Sequence, residues 1–290
     1  MSKIQSLNIL LSDTGKDYLA ELSGVVIDNI QKKALSAQLK NRELSGDPIS
    51  GTVECRRFVN ATVKAYGTAR AAGKGDPVKA KPVTVAIDQD KEIVEELEAK
   101  DIRLYSVDHV LERRARNHVS VMIATLDRAY FAEAYNEAVH VEVSAAAATK
   151  DILEAVIQEC ENTHNQFVDG VDRELMHLTL NTALYGKIRN DLDDQSGSNV
   201  DTAAESFKVW HGVKVDSCTR LPSGCELILE VYGSVAQPVH SEQYTAEKVN
   251  LSNAYAVEMF PNYGTKAVSP DLIFTIDRVT ENDEDTPSGT

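Results

Sequence analysis

An uninterrupted helical pattern from Ser106 to Val139 constrains the fold more than any other stretch of this sequence. Apolar residues recur there at three- and four-residue steps, which places them on one face of a helix. This stripe consists of Val107, Val110, Leu111, Ala115, Val119, Met122, Ile123, Leu126, Tyr130, Ala134 and Tyr135. No glycine or proline interrupts the pattern, and Ser106 is suited to cap its beginning. About thirty residues at ~1.5 Å each predict a rod on the order of 50 Å long, which would span its domain.

Length and charge exclude several classes of protein. The chain has 290 residues, of which 42% are hydrophobic, so it can bury the core of one or two domains. Its net charge of −15 means that the surface as a whole repels nucleic acid and anionic membranes. No segment approaches ~18 consecutive apolar residues, and no signal-peptide pattern opens the chain. We therefore expect a soluble protein made in a cytoplasm, with its four cysteines reduced.

A second amphipathic helix is predicted from about Gly15 to Leu39, ahead of the Ser45-Gly46-Asp47-Pro48 turn. Its apolar face carries Leu19, Leu22, Val26 and Ile30. This face is large enough to bind a groove of another protein, in the manner of an amphipathic helix. We hypothesise that this face contacts a neighbouring subunit or a separate scaffolding protein.

The segment from Thr52 to Ile87 has the pattern of a basic β-hairpin. Residues alternate from Thr52 to Tyr66, a Gly-Lys-Gly-Asp-Pro tip follows at 73–77, and a second strand runs from Val78 to Ile87. Pro82 places that second strand at a sheet edge. The hairpin has two acids, Glu54 and Asp76, against seven cations: Arg56, Arg57, Lys64, Arg70, Lys74, Lys79 and Lys81.

This hairpin has a net charge of about +5, so the remainder of the chain carries about −20. An isolated two-stranded hairpin is only marginally stable in water, and this one has a small apolar face. We therefore expect it to lie against an acidic surface, which could belong to another copy of the protein. The seven cations are accordingly predicted to be inter-subunit contacts.

The remaining chain alternates between predicted helices and strands. Asp88–Asp101 is predicted to be an acidic helix, and the polar segments Asp193–Ser206 and Glu281–Thr290 a loop and a disordered tail. Further helices are predicted at about Lys150–Phe167, capped by Thr149, and at Thr182–Leu192. Strands are predicted at Val139–Val143, Leu175–Leu180, Phe207–Val215, Glu226–Gly233, around Lys248–Met259, and at Lys266–Asp277.

Four groups contain residue types found in catalytic, phosphate-binding or metal sites, but none of them completes a motif of such a site. Cys160 and His164, four residues apart on a predicted helix, could form a thiolate–imidazole pair or half a metal site, but no third group is near in sequence. The others are the Gly73-Lys74 tip, the pair His140 and Glu142, and the acids Asp191, Asp193 and Asp194. We predict no catalytic, cofactor-binding or metal-binding residues, although a Cys160/His164 hydrolase remains an alternative.

Several stretches, in order along most of residues 50–280, resemble the major capsid proteins of tailed bacteriophages with the Hong Kong 97-type fold. They include Ser50-Gly51-Thr52-Val53-Glu54, Tyr66-Gly67-Thr68-Ala69-Arg70, Lys81-Pro82-Val83-Thr84-Val85, Asp90 to Glu96, Phe167-Val168-Asp169-Gly170-Val171, Leu178-Thr179-Leu180, Tyr185-Gly186-Lys187-Ile188, His211 to Val215, Gly233 to Val239, Tyr263 to Ala267, and Pro270-Asp271-Leu272.

The resemblance implies an α+β fold with a long spine helix, an extended β-hairpin loop and two mixed α/β subdomains. It assigns an N-terminal arm to 1–49, the extended loop to 50–88 and a disordered acidic tail to 282–290. The peripheral domain with the spine helix would comprise 89–144 and 240–281, and the axial domain 145–239.

The function implied by this resemblance is structural and not enzymatic. Copies would self-assemble as hexamers and pentamers into an icosahedral head shell that encloses double-stranded DNA non-specifically. Other implied partners are a scaffolding protein, the portal and head-completion proteins, with no membrane and no cofactor. Assembly would take place in the bacterial host cytoplasm, and the mature location would be the virion. An encapsulin-like compartment shell is the alternative within the same fold class.

Overall fold

The computed structural model describes residues 6–98, 100–102, 106–193 and 207–279. Its helices are α1 (Asp13–Lys33), α2 (Leu35–Leu39), α3 (Thr68–Ala72), α4 (Val107–Glu137), α5 (Thr149–Glu161) and α6 (Thr182–Asp193). Its strands are β1 (Leu44–Ser45), β2 (Thr52–Phe58), β3 (Ala80–Ala86), β4 (Gln89–Asp90), β5 (Ile93–Leu97), β6 (Val139–Ser144), β7 (Met176–Leu180), β8 (Val209–Trp210), β9 (Val213–Ser217), β10 (Leu227–Val231), β11 (Val235–Ala236), β12 (Val239–Ser241), β13 (Thr245–Lys248), β14 (Tyr255–Met259), β15 (Pro261–Tyr263), β16 (Lys266–Ala267) and β17 (Ile273–Val279).

The chain divides into two compact units. Unit 1 comprises Met1–Cys55, Thr84–Tyr130 and Ala236–Lys266. Unit 2 comprises Arg56–Val83, Phe131–Val235 and Ala267–Thr290. Each unit has its own hydrophobic core. The predicted polar loop after Asp193 and the predicted acidic tail fall almost wholly outside the described residues.

The core of unit 1 is built on α4, which confirms the predicted long helix. Its apolar stripe is buried at Val107, Leu111, Ala115, Val119, Met122, Ile123 and Leu126. The same cluster contains Leu19, Leu22, Val26 and Ile30 of α1. The hypothesis that this face of α1 contacts another protein is therefore wrong, because the face is already buried within its own unit.

The predicted helix from Gly15 to Leu39 is interrupted at Ala34, which has an extended backbone with ψ 131°. Lys33 ends α1, and the short helix α2 follows directly. The buried Asp127 carboxylate of α4 accepts a hydrogen bond of 3.0 Å from the Ser36 backbone amide. Because the first amides of a helix have no partner inside it, this carboxylate caps the new helix and compensates for the break.

Small antiparallel sheets complete unit 1. They have the strand orders β13-β14-β5 and β12-β15-β4. The prediction of a helix over Asp88–Asp101 is therefore wrong, because this segment contains β4 and β5. Ile93, Glu95 and Leu97 point inward, and Glu95 forms an ion pair with Arg114 while lying 3.1 Å from His118 Nε2. Because the inward Glu95 is acidic, the segment lacks the regular alternation of apolar and polar residues that indicates a strand.

Unit 2 is centred on a six-stranded sheet of order β6-β17-β10-β7-β9-β8. The pairs β17–β6 and β7–β9 are parallel, whereas the pairs β10–β17, β10–β7 and β8–β9 are antiparallel. Helices α5 and α6 contribute to the core with Ile152, Leu153, Val156, Ile157, Leu184 and Ile188. All five residues of β7 are buried, so its alternating sequence does not reflect one exposed face. The sheet provides a rigid base for the segments attached to it.

Helix α5 ends at Glu161, earlier than the predicted Phe167. The Asn165 side-chain oxygen accepts hydrogen bonds from the amides of Phe167 and Val168, at 2.8 and 3.0 Å. Such local side-chain bonds compete with helical ones, so residues 162–168 form a loop. Within the described residues, no helix is long and apolar enough to cross a membrane.

Candidate assembly interface

The extended loop, residues 50–88, begins as the predicted hairpin but is regular only at its base. Strands β2 and β3 are neighbours in a three-stranded sheet in which β3 is at the edge, as Pro82 predicts. The Val59 amide donates to the Lys79 carbonyl at 3.0 Å and joins the two limbs. Beyond Phe58 the predicted alternation no longer gives a strand, and the short helix α3 lies between Gly67 (φ 90°) and Gly73 (φ 72°).

Residues 60–82, which we call the distal loop, are all exposed. Three of them are large and apolar: Val63 is 97% exposed, Tyr66 98% and Val78 85%. Burying one such side chain stabilises by about 1.5–3 kcal/mol relative to leaving it in water. Single exposed apolar side chains are common on protein surfaces, but three of them on one loop whose residues are all exposed favour a segment that another molecule covers.

The seven predicted contact residues differ in their surroundings. Lys64 forms an ion pair of 2.6 Å with Asp76 within the distal loop. Within the described part of the chain, Arg70, Lys74, Lys79 and Lys81 are exposed and form no ion pair. Arg56 is also exposed. Most of the positive charge therefore faces solvent, as a surface that could meet an acidic partner.

Arg57 is the exception, because its side chain is only 13% exposed. Its guanidinium donates two hydrogen bonds to the Asp271 carboxylate, at 2.5 and 2.7 Å. It also lies 4.3 Å above the centre of the Phe167 ring. Sequence reasoning missed this contact, because Arg57 has the same residue type and local pattern as its exposed neighbours. Asp271 lies 214 positions away.

The alternative Cys160/His164 site is not assembled as a nucleophile and its base. Cys160 is fully buried, and burial raises the pKa of its thiol to about 12. A protonated, buried thiol is a poor nucleophile. The side chain of His164 is 61% exposed, and its Nδ1 lies 2.8 Å from Asp169 Oδ1.

Of the other candidate residues, His140 contacts an acid, Asp193 contacts an arginine, Glu142 and Asp191 are exposed, and Gly73 lies at a turn. His140 lies 3.0 Å from Asp277 on the adjacent strand, and Asp193 pairs with Arg189 one helical turn away. Gly73 ends helix α3 at the loop tip, and Asp194 lies outside the described residues. Among residues 6–98, 100–102, 106–193 and 207–279, no group of three His, Cys, Asp or Glu side chains could hold a metal ion.

Comparison with solved structures identifies the fold. The capsid of cyanophage P-SCSP1u is 12% identical, with a TM-score of 0.62 over 85% of this chain and 88% of that one. A structure from Mycobacterium phage Che8 is 18% identical, with a TM-score of 0.57 over 84% and 91%. A virus-like particle from Pyrococcus furiosus is 12% identical, with a TM-score of 0.57 over 90% and 100%. No protein-family model and no curated protein matches the chain. The chain thus has the α+β Hong Kong 97-type fold, as predicted.

Proposed function

We propose that this chain is the major capsid protein of a tailed bacteriophage, whose copies assemble into the icosahedral head shell. One observation carries the proposal beyond the shared fold: the distal loop extends from unit 2 with Val63, Tyr66 and Val78 in solvent. A monomer gains nothing from such an arm, whereas a shell subunit can place it on a neighbour. The basic loop and the acidic remainder of the chain give that contact complementary charge.

We assign the segments of the chain to the parts of a shell subunit. Residues 1–49 would be the N-terminal arm and 50–88 the extended loop that reaches a neighbouring copy. Residues 89–144 with 240–281 would form the peripheral domain, 145–239 the axial domain, and 282–290 the tail. The basic residues of the loop other than Arg57 would be inter-subunit contacts.

The partners follow from this role. Copies would form hexamers and pentamers, and the closed shell would enclose double-stranded DNA without sequence preference. Because the chain has a net charge of −15, its surface as a whole would repel the packaged DNA and not bind it tightly. A scaffolding protein, the portal and head-completion proteins would join during assembly in the host cytoplasm, and the product would be the virion. Any scaffold contact must use a surface other than the buried face of α1.

The alternative of an encapsulin-like compartment is less favoured, because two of the three structures compared above come from phages. The two proposals differ in what the particle encloses, a genome or a protein cargo. A Cys160/His164 hydrolase has no support from the geometry, since the thiol is buried and held protonated.

Expression of the full chain in a bacterium, followed by gradient sedimentation and negative-stain microscopy, tests the proposal. We expect closed particles far larger than the 31.8 kDa subunit. Particles recovered from infected or induced host cells should hold DNA and not a protein cargo, which separates a head shell from a compartment. A stable monomer at high protein concentration and low salt, with and without candidate scaffolds, would contradict the assignment.

A further inference from the structure

The extended loop is anchored to unit 2 at its base through the side chain of Asp271. This carboxylate accepts both Arg57 hydrogen bonds and a third, of 2.5 Å, from the Asn165 side-chain amide. Burial alone raises the pKa of the Asp271 carboxyl, but the Arg57 and Asn165 hydrogen bonds hold that pKa below its ordinary value. Bidentate arginine–carboxylate pairs fix direction as well as distance.

Two further contacts tie the same part of the loop to residues 162–168. The Arg57 guanidinium lies on the Phe167 ring, and the Asn60 amide donates to the Gln166 carbonyl at 3.0 Å. Asn165 links these contacts, because it orders residues 162–168 through its oxygen and binds Asp271 through its nitrogen. The Arg57 side chain and the Asn60 backbone are therefore both held by the same set of contacting residues, where the chain leaves strand β2.

Asp271 itself lies on a rigid support. It belongs to a short 3-10 turn, Pro270–Leu272, which leads directly into β17 of the six-stranded sheet. The flanking Leu272 and Ile273 are buried, at 8% and 0% exposure. The sheet therefore fixes the position of the Asp271 carboxylate, and this carboxylate in turn fixes the base of the loop.

We propose that Asp271 is a positioning residue for assembly, which sets the direction in which the distal loop leaves the subunit without itself touching a neighbouring copy. This inference rests on the proposed function. About sixteen residues separate Arg57 from the loop tip, five of them in helix α3, so the arm reaches up to about 45 Å. A rotation of about 10° at the base would then move the tip by up to about 8 Å. Such a displacement would separate the distal loop from any fixed surface on a neighbour.

The experiment compares Asp271→Asn with a matched variant, Glu226→Gln. The Glu226 carboxylate also receives two arginine hydrogen bonds in unit 2, both of 2.6 Å, from Arg278. Both arginines are largely shielded from solvent, and the two acids have 31% and 30% exposure. If the Arg57–Asp271 pair only stabilises the fold, the two variants should have the same effect on assembly.

Two readouts are needed: hydrogen exchange of the peptide containing Asn60 in unassembled subunits, and the yield of particles by sedimentation. We expect Asp271→Asn to speed exchange at Asn60 at least tenfold and to lower particle yield at least tenfold. Glu226→Gln should change neither the exchange rate nor the particle yield, although the two variants should lower the unfolding midpoint by similar amounts. Arg57→Lys, which keeps the charge but loses the bidentate geometry, should give an intermediate result.

Equal exchange and equal particle yield in Asp271→Asn and Glu226→Gln would overturn the proposal. If Asp271→Asn fails to fold, Arg57→Lys supplies the comparison, and wild-type exchange with full particle yield in that variant would also overturn it. Absence of particles from the unmodified chain, with and without candidate scaffolds, would instead refute the proposed function. The exchange measurement would still decide whether Asp271 holds the loop.

Discussion

Arg173 donates a hydrogen bond of 2.7 Å from Nη2 to Oε1 of Glu154. Its Nε also donates to Glu161, at 2.6 Å, so one arginine joins two acids seven residues apart on α5. The hydrogen bonds from Arg173, and then from His211, lower the pKa of the Glu154 carboxyl to about 2. This arrangement holds α5 to the turn that precedes β7.

Replacing this arginine should destabilise the protein in a pH-dependent way. Because the folded-state pKa of Glu154 is below its ordinary 4.5, its contribution is present above that pH and is lost as pH falls toward 2. We expect Arg173→Met to lower the free energy of unfolding by about 2 kcal/mol at pH 7, and the difference from wild type to narrow below pH 4.5. Urea unfolding across this range measures it, with Lys32→Met, from an exposed pair, as a control that should cost under about 1 kcal/mol.

Two glycines of α1 should respond to alanine with opposite signs. A Cβ at Gly15 would lie 2.1 Å from the Ile9 carbonyl oxygen, whereas a Cβ at Gly24 meets nothing within 4 Å. Gly15→Ala should therefore destabilise by about 1–3 kcal/mol through overpacking. Gly24→Ala should stabilise by up to about 1 kcal/mol through helix propensity. Thermal unfolding of both variants decides the point, and a shift in the same direction would contradict the packing described for Gly15.

The four cysteines should be unreactive in the folded subunit. All are buried, and burial raises the pKa of the Cys160 and Cys225 thiols, to about 12 and about 11. Thiolates, and not thiols, are the reactive species. Ellman's reagent should therefore label none of them rapidly in native protein and all four after unfolding. One fast equivalent at neutral pH would reopen the question of a cysteine site.

Charge reversal in the distal loop should prevent assembly without unfolding the subunit. Lys74, Lys79 and Lys81 are exposed, so replacing them with glutamate should change the free energy of unfolding by less than about 0.5 kcal/mol. The same reversal at Lys16, Lys33 and Lys150, also exposed, gives an equal change in net charge outside the loop. Only the loop variant should lose particles in a sedimentation assay, and wild-type particles should weaken as salt rises. Normal particles from the loop variant would refute the role of these lysines.

Sequence patterns predicted elements whose periodicity was long and undisturbed. The three- and four-residue spacing of α4 persists for 31 residues without glycine or proline, and the helix was predicted to within two residues at each end. At β5 the alternating pattern is short, and the acidic composition of the segment led to the prediction of a helix. Glu95 interrupts the apolar face of the strand, because it faces inward toward Arg114. Only tertiary structure shows that this acid has a partner.

The site was predictable in its charge but not in its geometry. The excess of cations identified the loop, yet an amphipathic pattern does not reveal which surface covers it. The apolar face of α1 was correctly located and wrongly assigned to another protein, since α4 buries it. Likewise, Arg57 could not be distinguished from Arg56 without Asp271, which is distant in sequence and adjacent in space.

The central claim is that the distal loop joins copies of this chain into a shell. Sedimentation velocity of the full chain, compared with a variant in which residues 61–78 are replaced by a short Gly-Ser linker, tests it most directly. We predict that the full chain sediments as large closed particles. The variant should keep the unfolding midpoint of both units but remain as small species, because it lacks Val63, Tyr66 and Val78. A single 31.8 kDa species from the full chain, with and without candidate scaffolds, or identical particles from the variant, would contradict the account.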